Sequence, residues 1–160
     1  MMNFFKKKTL NDILKIENQE EKINEIYKYL SRKCHYGEKV DQLSDEEKTL
    51  YDVMDFEAEM NDGGLEQFLY SEASDDIERT CQSLKSLNLE SIAELLQDVK
   101  ELFPGGLVPS IQSERARILE LMLNDGPIFQ EFDDRYSRLD IHLSDHYIVY
   151  INEKMMKNKF

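Results

Sequence analysis

The sequence predicts an all-α protein, a single compact bundle of about seven or eight helices. Only six glycines and three prolines occur in 160 residues, and most of them fall in short clusters at 62–64, 104–109 and 126–127. Between these breaks, apolar residues recur every three or four positions, which is typical of helices with one buried face. A chain of this length, with 41% hydrophobic residues, can bury one core.

Each helix is placed by its apolar spacing and by its start and stop signals. The polar run at 17–21 divides a first helical region over about 9–33. Ser44 and Glu47 have the spacing of a capping box, so a second helix begins there and runs to about residue 61. The remaining predicted helices are a short one from Gly64 to about Tyr70, one from Asp75 to Leu87 capped by Ser74, one over about 90–103, one from Ser113 to about Leu123, one from Pro127 to about Leu139, and one from Ser144 to about Lys157.

The charge divides the chain into two parts. Residues 41–153 contain 27 acidic and 8 basic side chains, a balance of −19, whereas residues 1–40 contain 9 basic and 6 acidic ones, a balance of +3. We expect 1–40 to be a basic helical segment packed on an acidic domain at 41–160. Such acidity disfavours nucleic acid and anionic lipid and favours basic partners; general solubility is the alternative explanation.

One face of the helix that begins at Ser44 is a row of carboxylates. Residues seven apart lie about 10.5 Å apart along a helix axis, close to three phosphate steps of about 3.4 Å on a DNA strand. The row therefore predicts a surface that replaces DNA phosphates, with an ordinary solvated helix face as the alternative. The predicted partner-binding residues are Asp45, Asp52, Asp55, Glu59 and Asp62, with Asp133 and Asp134 as a second cluster.

Two polar residues of the same helix, Glu57 and Asn61, fall in its apolar arc. A buried carboxylate needs partners, so we expect a hydrogen-bond network that joins both residues to the glycine turn at 62–64 and to Gln67. A catalytic Glu57 is the alternative, because burial can turn a carboxyl group into a general acid or base.

No motif indicates a cofactor or a catalytic nucleophile. His142 and His146 have metal-pair spacing, but the predicted cap at Ser144 places His142 before the helix, so we predict no metal site. Two cysteines, Cys34 and Cys81, indicate reduced thiols in the cytoplasm. Phe4 and Phe5 precede the lysines at 6–8, the reverse of a signal peptide, and no apolar run is long enough to span a membrane.

Three strings together resemble a known family: Glu57-Ala-Glu-Met-Asn-Asp-Gly-Gly-Leu-Glu-Gln-Phe68, Leu102-Phe-Pro-Gly-Gly106 and Phe132-Asp-Asp-Arg-Tyr136. They are similar to the prokaryotic DNA-mimic protein family, over about residues 42–153. The resemblance implies an all-helical domain that binds no DNA, forms a homodimer in the best case, and covers the DNA-binding surface of another protein. Its structural signature falls on Glu57, Asn61, Gly63, Gly64, Gln67 and Phe68. The basic segment at 1–40 departs from a uniformly acidic mimic.

The function predicted from these observations is a non-enzymatic protein-binding module without a cofactor. Its partner is a basic DNA-binding protein such as a transcription factor, and it occupies the DNA-binding surface of that partner by charge mimicry. Two alternatives stay open: an immunity or antitoxin-like inhibitor of a basic toxin, and a small enzyme centred on Glu57.

Overall fold

The computed structural model describes residues 6–157, and within that range it contains eight α-helices and no β-strand, which confirms the all-α prediction. Phe4 and Phe5 lie outside the described residues. Short 3₁₀ turns occupy Val40–Gln42, Glu72–Ser74 and Pro104–Gly106, and a π-helical segment, Ile151–Met156, continues the last helix. The helices are α1 (Leu10–Leu14), α2 (Gln19–Lys33), α3 (Asp45–Tyr70), α4 (Ile77–Ser86), α5 (Glu90–Lys100), α6 (Gln112–Leu123), α7 (Gln130–Arg138) and α8 (Leu143–Tyr150).

The start signals of the first helices are confirmed. The Ser44 hydroxyl accepts a hydrogen bond from the Glu47 amide (3.2 Å), and the Glu47 carboxylate accepts one from the Ser44 amide (3.0 Å). The predicted break at 17–21 separates α1 from α2, where the Asn18 side chain accepts a hydrogen bond from the Glu21 amide at 2.9 Å. These caps satisfy amides that have no partner inside the helix.

The long helix α3 is the centre of the bundle, and α2, α4, α6 and α7 all pack against it. Its apolar stripe is buried, with Leu50, Val53, Phe56 and Phe68 wholly inaccessible to solvent. The rings of Phe56 and Phe68 meet edge to face with their centroids 5.0 Å apart. Such pairs add about 0.5–1.5 kcal/mol to the gain from burial, so the two halves of α3 are joined through the core.

The basic N-terminal segment contributes to the same core. Ile13, Ile26 and Leu30 are fully buried within the cluster that α3 forms with its neighbours. The Lys33 ammonium group also lies 2.7 Å from the carboxylate of Glu47, at the start of α3. The described part of the basic segment is therefore attached to the acidic part by apolar packing as well as by charge.

Three predicted helix starts are wrong. Ser74 does not cap α4: its buried hydroxyl donates to the carbonyls of Leu69 and Ser71, and Asp76 caps α4 instead. The segment at Pro127 stays in a turn, and α7 begins at Gln130. The last helix begins at Leu143, with His142 rather than Ser144 at its cap. In the first case a tertiary contact of Ser74 prevails over its local propensity to cap.

The predicted glycine turn is a sharp kink inside α3. Gly64 has φ +71° and ψ −159°, a conformation open to glycine and costly for other residues. The kink frees the amide of Leu65, which donates to the Asp133 carboxylate of α7 at 2.9 Å. A Cβ atom at Gly64 would lie 2.8 Å from that carboxylate. Gly64 is therefore required both for the turn and for the close approach of α7.

Candidate acidic binding surface

A groove of about 440 Å³ lies between the 36–40 loop, the middle of α3 and the start of α4. Six carboxylates line it, whereas Arg79 is the only Lys or Arg among its lining residues. We call it the acidic groove. Its carboxylates are those of Glu38, Asp52, Asp55, Glu72, Asp75 and Asp76.

Asp52 forms the floor of the acidic groove and is neutralised there. Its side chain is only 4% exposed and receives two hydrogen bonds from the Arg79 guanidinium, at 2.9 and 3.0 Å. The Ser83 hydroxyl donates a third at 2.9 Å. Arg79 and Ser83 are four residues apart on α4, so one face of that helix supplies all three donors. The prediction that Asp52 lies on an exposed face is wrong, because α4 covers it.

Asp55 is half-buried and has a neutral partner. Its Oδ1 accepts a hydrogen bond from the Tyr27 hydroxyl of α2 at 3.0 Å. Burial raises the pKa of Asp55 to about 6; the Tyr27 hydrogen bond lowers it in part, and the nearby charges of Glu59 and Asp52 raise it further. Asp55, which is predicted to lie on the outer acidic face of α3, is therefore only partly accessible. This pKa places the titration of the Asp55 carboxyl group near pH 6.

The outer part of the acidic groove keeps more of its charge. Asp75 pairs with the buried Arg115 guanidinium at 2.7 Å, and Asp76 lies 3.5 Å from Arg79. Glu38 and Glu72 are exposed and form no ion pair within the described residues. Because two guanidinium groups face six carboxylates, four negative charges remain when all six are ionised.

A second cavity adjoins the acidic groove and is partly basic. Glu38 and Glu72 also line this cavity, together with Lys7 and Arg32 from the N-terminal segment. Neither cation comes within ion-pair distance of a carboxylate in the part of the chain that the structure describes. The rim of the acidic groove is therefore of mixed charge on that side.

The other residues of the predicted acidic face have different environments. Asp45 and Asp62 are exposed at the two ends of the face, whereas Glu59 is partly buried and accepts a hydrogen bond from the Gln67 amide at 2.8 Å. The continuous row of solvated carboxylates is therefore interrupted in its middle, since α2 and α4 pack beside α3 there.

The second predicted cluster is also divided. Asp133 accepts a hydrogen bond from the Leu65 amide at the α3 kink. Asp134 is exposed and accepts a hydrogen bond from Gln130 at 3.0 Å. Adjacent residues of a helix point about 100° apart. One carboxylate therefore faces the bundle and its neighbour faces solvent.

The predicted network around Glu57 and Asn61 is wrong. Glu57 accepts a hydrogen bond of 2.5 Å from the Tyr147 hydroxyl of α8, whereas Asn61 and Gln67 are exposed and Gln67 is bonded to Glu59. Burial raises the pKa of Glu57, and the Tyr147 hydrogen bond offsets this in part. A cavity of about 580 Å³ reaches this carboxylate, which is the feature that an enzyme centred on Glu57 would need.

The histidines and cysteines considered as metal ligands or reactive thiols form no site within the described residues. His146 Nδ1 lies 2.7 Å from the Leu87 carbonyl, and His142 is exposed. Cys34 and Cys81 are buried and unpaired. Across residues 6–157, no three His, Cys, Asp or Glu side chains are grouped as a metal site would require. None of the helices in this range has both the length and the apolar character needed to cross a membrane.

The fold and the acidic groove together define an acidic all-α domain with a surface suited to basic groups. The family model described as DMP19-like protein matches residues 41–154, more than half of the chain. The chain therefore belongs to the DMP19-like protein family, a family of DNA mimics. No curated protein and no solved structure matches it.

Sequence reasoning did not find several residues of the acidic groove. Glu38 and Glu72 lie in a loop and a short turn, where no periodic pattern marks a shared face. Arg115 lies in the first turn of the helix predicted from Ser113, and no sequence pattern indicated its burial. Only the packing of distant segments brings these side chains together.

Proposed function

We propose that the protein is a DNA mimic whose acidic groove occupies the DNA-binding surface of a basic DNA-binding protein, such as a transcription factor. The observation that carries the proposal is the groove itself, in which six carboxylates face two guanidinium groups, with Lys7 and Arg32 in the cavity beside its rim. Arginine and lysine side chains that normally contact phosphates would enter the groove and pair with these carboxylates. The family to which the chain belongs supports this reading.

The exposed members of the predicted face extend the proposed surface. Asp45, Asp62 and Asp134 are solvent-accessible and would act through long-range attraction rather than buried contacts. Such attraction mainly raises the association rate and weakens as salt is added. Asp52 and Asp133 are engaged inside the protein, so we assign them the role of holding the surface in shape.

The test compares two double charge reversals that change the net charge by the same amount. One places lysine at Glu38 and Glu72 in the acidic groove, and the other at Glu94 and Glu101, which are exposed on or just after α5. The immobilised proteins are exposed to extract of the native cell, and the captured DNA-binding protein is then challenged with duplex DNA. We expect capture by the wild type and by the α5 control, competition by DNA, and release at high salt.

The groove variant should bind at least tenfold more weakly than the control, a difference of about 1.4 kcal/mol. Equal binding by the two variants would place the interaction elsewhere. Capture that is insensitive to both salt and DNA would refute charge mimicry, because replacement of phosphate contacts depends on salt. Circular dichroism establishes that both variants are folded.

We further propose that the protein acts in the cytoplasm and as a homodimer. Three large apolar side chains are exposed on α6 and the loop before it: Leu107 at 76%, Ile111 at 55% and Leu121 at 64%. A second copy covering them would remove apolar surface from water. Sedimentation equilibrium of the wild type should give a dimer that Leu121→Glu shifts to the monomer; a wild-type monomer at about 100 μM would contradict the proposal.

A further inference from the structure

The cavity that reaches Glu57 lies apart from the lining of the acidic groove. It has a volume of about 580 Å³ and opens between α2, α3 and the first turn of α8. Ile23, Met54 and Ala58 give it apolar walls, and Asn24 and Asn61 contribute amide groups. Its volume falls within the range of about 300–1,000 Å³ in which small organic groups bind. We call it the Glu57 cleft.

Glu57 has few partners for a half-buried carboxylate. The Tyr147 hydroxyl, at 2.5 Å, is the only hydrogen-bond donor that reaches it among residues 6–157. A carboxylate accepts about four hydrogen bonds. Since no buried side-chain oxygen in this range lacks a partner, the Glu57 oxygen that Tyr147 does not contact is accessible to solvent. Glu57 lines both the Glu57 cleft and a smaller cavity of about 220 Å³.

Two other internal carboxylates of α3 have cationic partners, whereas Glu57, like Asp55, is bonded to a tyrosine hydroxyl. Asp52 is bonded to Arg79 and Glu47 to Lys33. Glu57 has no Lys or Arg within 4.0 Å among the described residues, and the Glu57 cleft has none among its lining residues. The described residues therefore provide no cation of their own to this half-buried carboxylate.

We propose that the Glu57 cleft binds an organic cation, a guanidinium or ammonium group on an alkyl stem. The cationic head pairs with the Glu57 carboxylate, which Tyr147 holds in place from α8. The stem lies against Ile23, Met54 and Ala58, and the amide oxygens of Asn24 and Asn61 are further acceptors. An anion is repelled by Glu57, and a neutral molecule of the same shape leaves its charge uncompensated. The inference holds whether or not the acidic groove binds a DNA-binding protein.

The test is a calorimetric titration of the full chain with two matched compounds. N-acetyl-arginine amide carries the cation, whereas N-acetyl-citrulline amide has nearly the same shape and no charge. We expect the arginine compound to bind at least tenfold more tightly, because its hydrogen bonds to the carboxylate are charge-assisted. Glu57→Gln should abolish this preference, while Glu66→Gln, which removes an exposed carboxylate from the same helix, should retain it.

A second variant keeps the experiment decisive if Glu57→Gln does not fold. Ala58→Leu leaves the carboxylate intact and fills part of the Glu57 cleft, so it should weaken binding of the arginine compound at least tenfold. Equal affinity for the two compounds, unchanged affinity in either cleft variant, or no binding up to about 10 mM would overturn the proposal.

A third compound identifies the source of the cation. Agmatine has the same guanidinium group but a free amine in place of the blocked backbone. Tighter binding of agmatine assigns the Glu57 cleft to free small amines. Equal or tighter binding of the blocked arginine assigns it to an arginine side chain within a protein.

Discussion

Replacing Arg115 with methionine should destabilise the protein by about 3 kcal/mol, because it removes the hydrogen bonds that a buried guanidinium group donates to three carbonyls and a carboxylate. The Arg115 side chain is wholly buried and donates four hydrogen bonds. Three go to the carbonyls of Leu69 (2.6 Å), Pro109 (2.7 Å) and Ser71 (2.8 Å), and one goes to the Asp75 carboxylate (2.7 Å). Arg115 therefore joins α6 to the end of α3 and to the start of the acidic groove.

The expected loss of stability depends on which hydrogen bonds each acceptor keeps when Arg115 is replaced. Hydrogen bonds to a charged group contribute about 1.5–3 kcal/mol each, but the Leu69 and Ser71 carbonyls still share the Ser74 hydroxyl as a donor. The Ser71 carbonyl also keeps the hydrogen bond from the Ser74 amide, at 3.3 Å. Asp75 is 46% exposed and regains water. The Pro109 carbonyl loses the bond from Arg115, and methionine fills most of the vacated volume. These compensations place the expected cost at about 3 kcal/mol, the equivalent of one or two such hydrogen bonds.

Urea unfolding followed by circular dichroism measures the change in the free energy of unfolding. Arg117→Met is the matched control, because Arg117 lies two residues further along α6, is exposed and forms no ion pair within the described residues. We expect the control to differ from the wild type by less than about 0.5 kcal/mol. A loss below about 1 kcal/mol for Arg115→Met would refute the assignment of Arg115 as the buried link.

Two further changes test the α3 kink and the titration of Asp55. Gly64→Ala should lower the free energy of unfolding by about 2 kcal/mol or more, because its Cβ would lie 2.8 Å from Asp133. Gly105→Ala, also at positive φ but with no atom within 4 Å, should lower it clearly less. Equal losses for the two variants in chemical denaturation would contradict the steric argument. The Asp55 pKa of about 6 lies above its ordinary 3.8, so the folded state binds this proton more tightly than the unfolded state. Between pH 7 and pH 5 the wild type should therefore gain about 1 kcal/mol in unfolding free energy relative to Asp55→Asn. Parallel curves for wild type and Asp55→Asn would show that Asp55 does not titrate in this range.

Much of the fold could be predicted because it depends on local signals. The spacing of apolar residues along α3, its capping box at Ser44 and the break before α2 each involve residues within one or two helical turns of one another. The failures at Ser74 and Pro127 share one cause. A residue that suits a helix start takes another role when a tertiary contact or a turn satisfies the backbone better.

The candidate site was predictable only in part. The sequence correctly indicated a concentration of carboxylates, but the prediction assumed that no other helix packs against the acidic face of α3. Asp52 meets Arg79 across 27 residues, and Glu57 meets Tyr147 across 90 residues. No periodicity within one helix reveals such pairs.

The sequence by itself determined that this protein is helical, strongly acidic and divided by a glycine kink, because spacing, composition and backbone freedom are properties of neighbouring residues. The tertiary structure alone decided which carboxylates are neutralised and which stay available. Burial and ion pairing depend on segments that approach only after folding. Asp52 therefore has a structural role, Glu38 and Glu72 belong to the acidic groove, and Glu57 lies in a separate cleft.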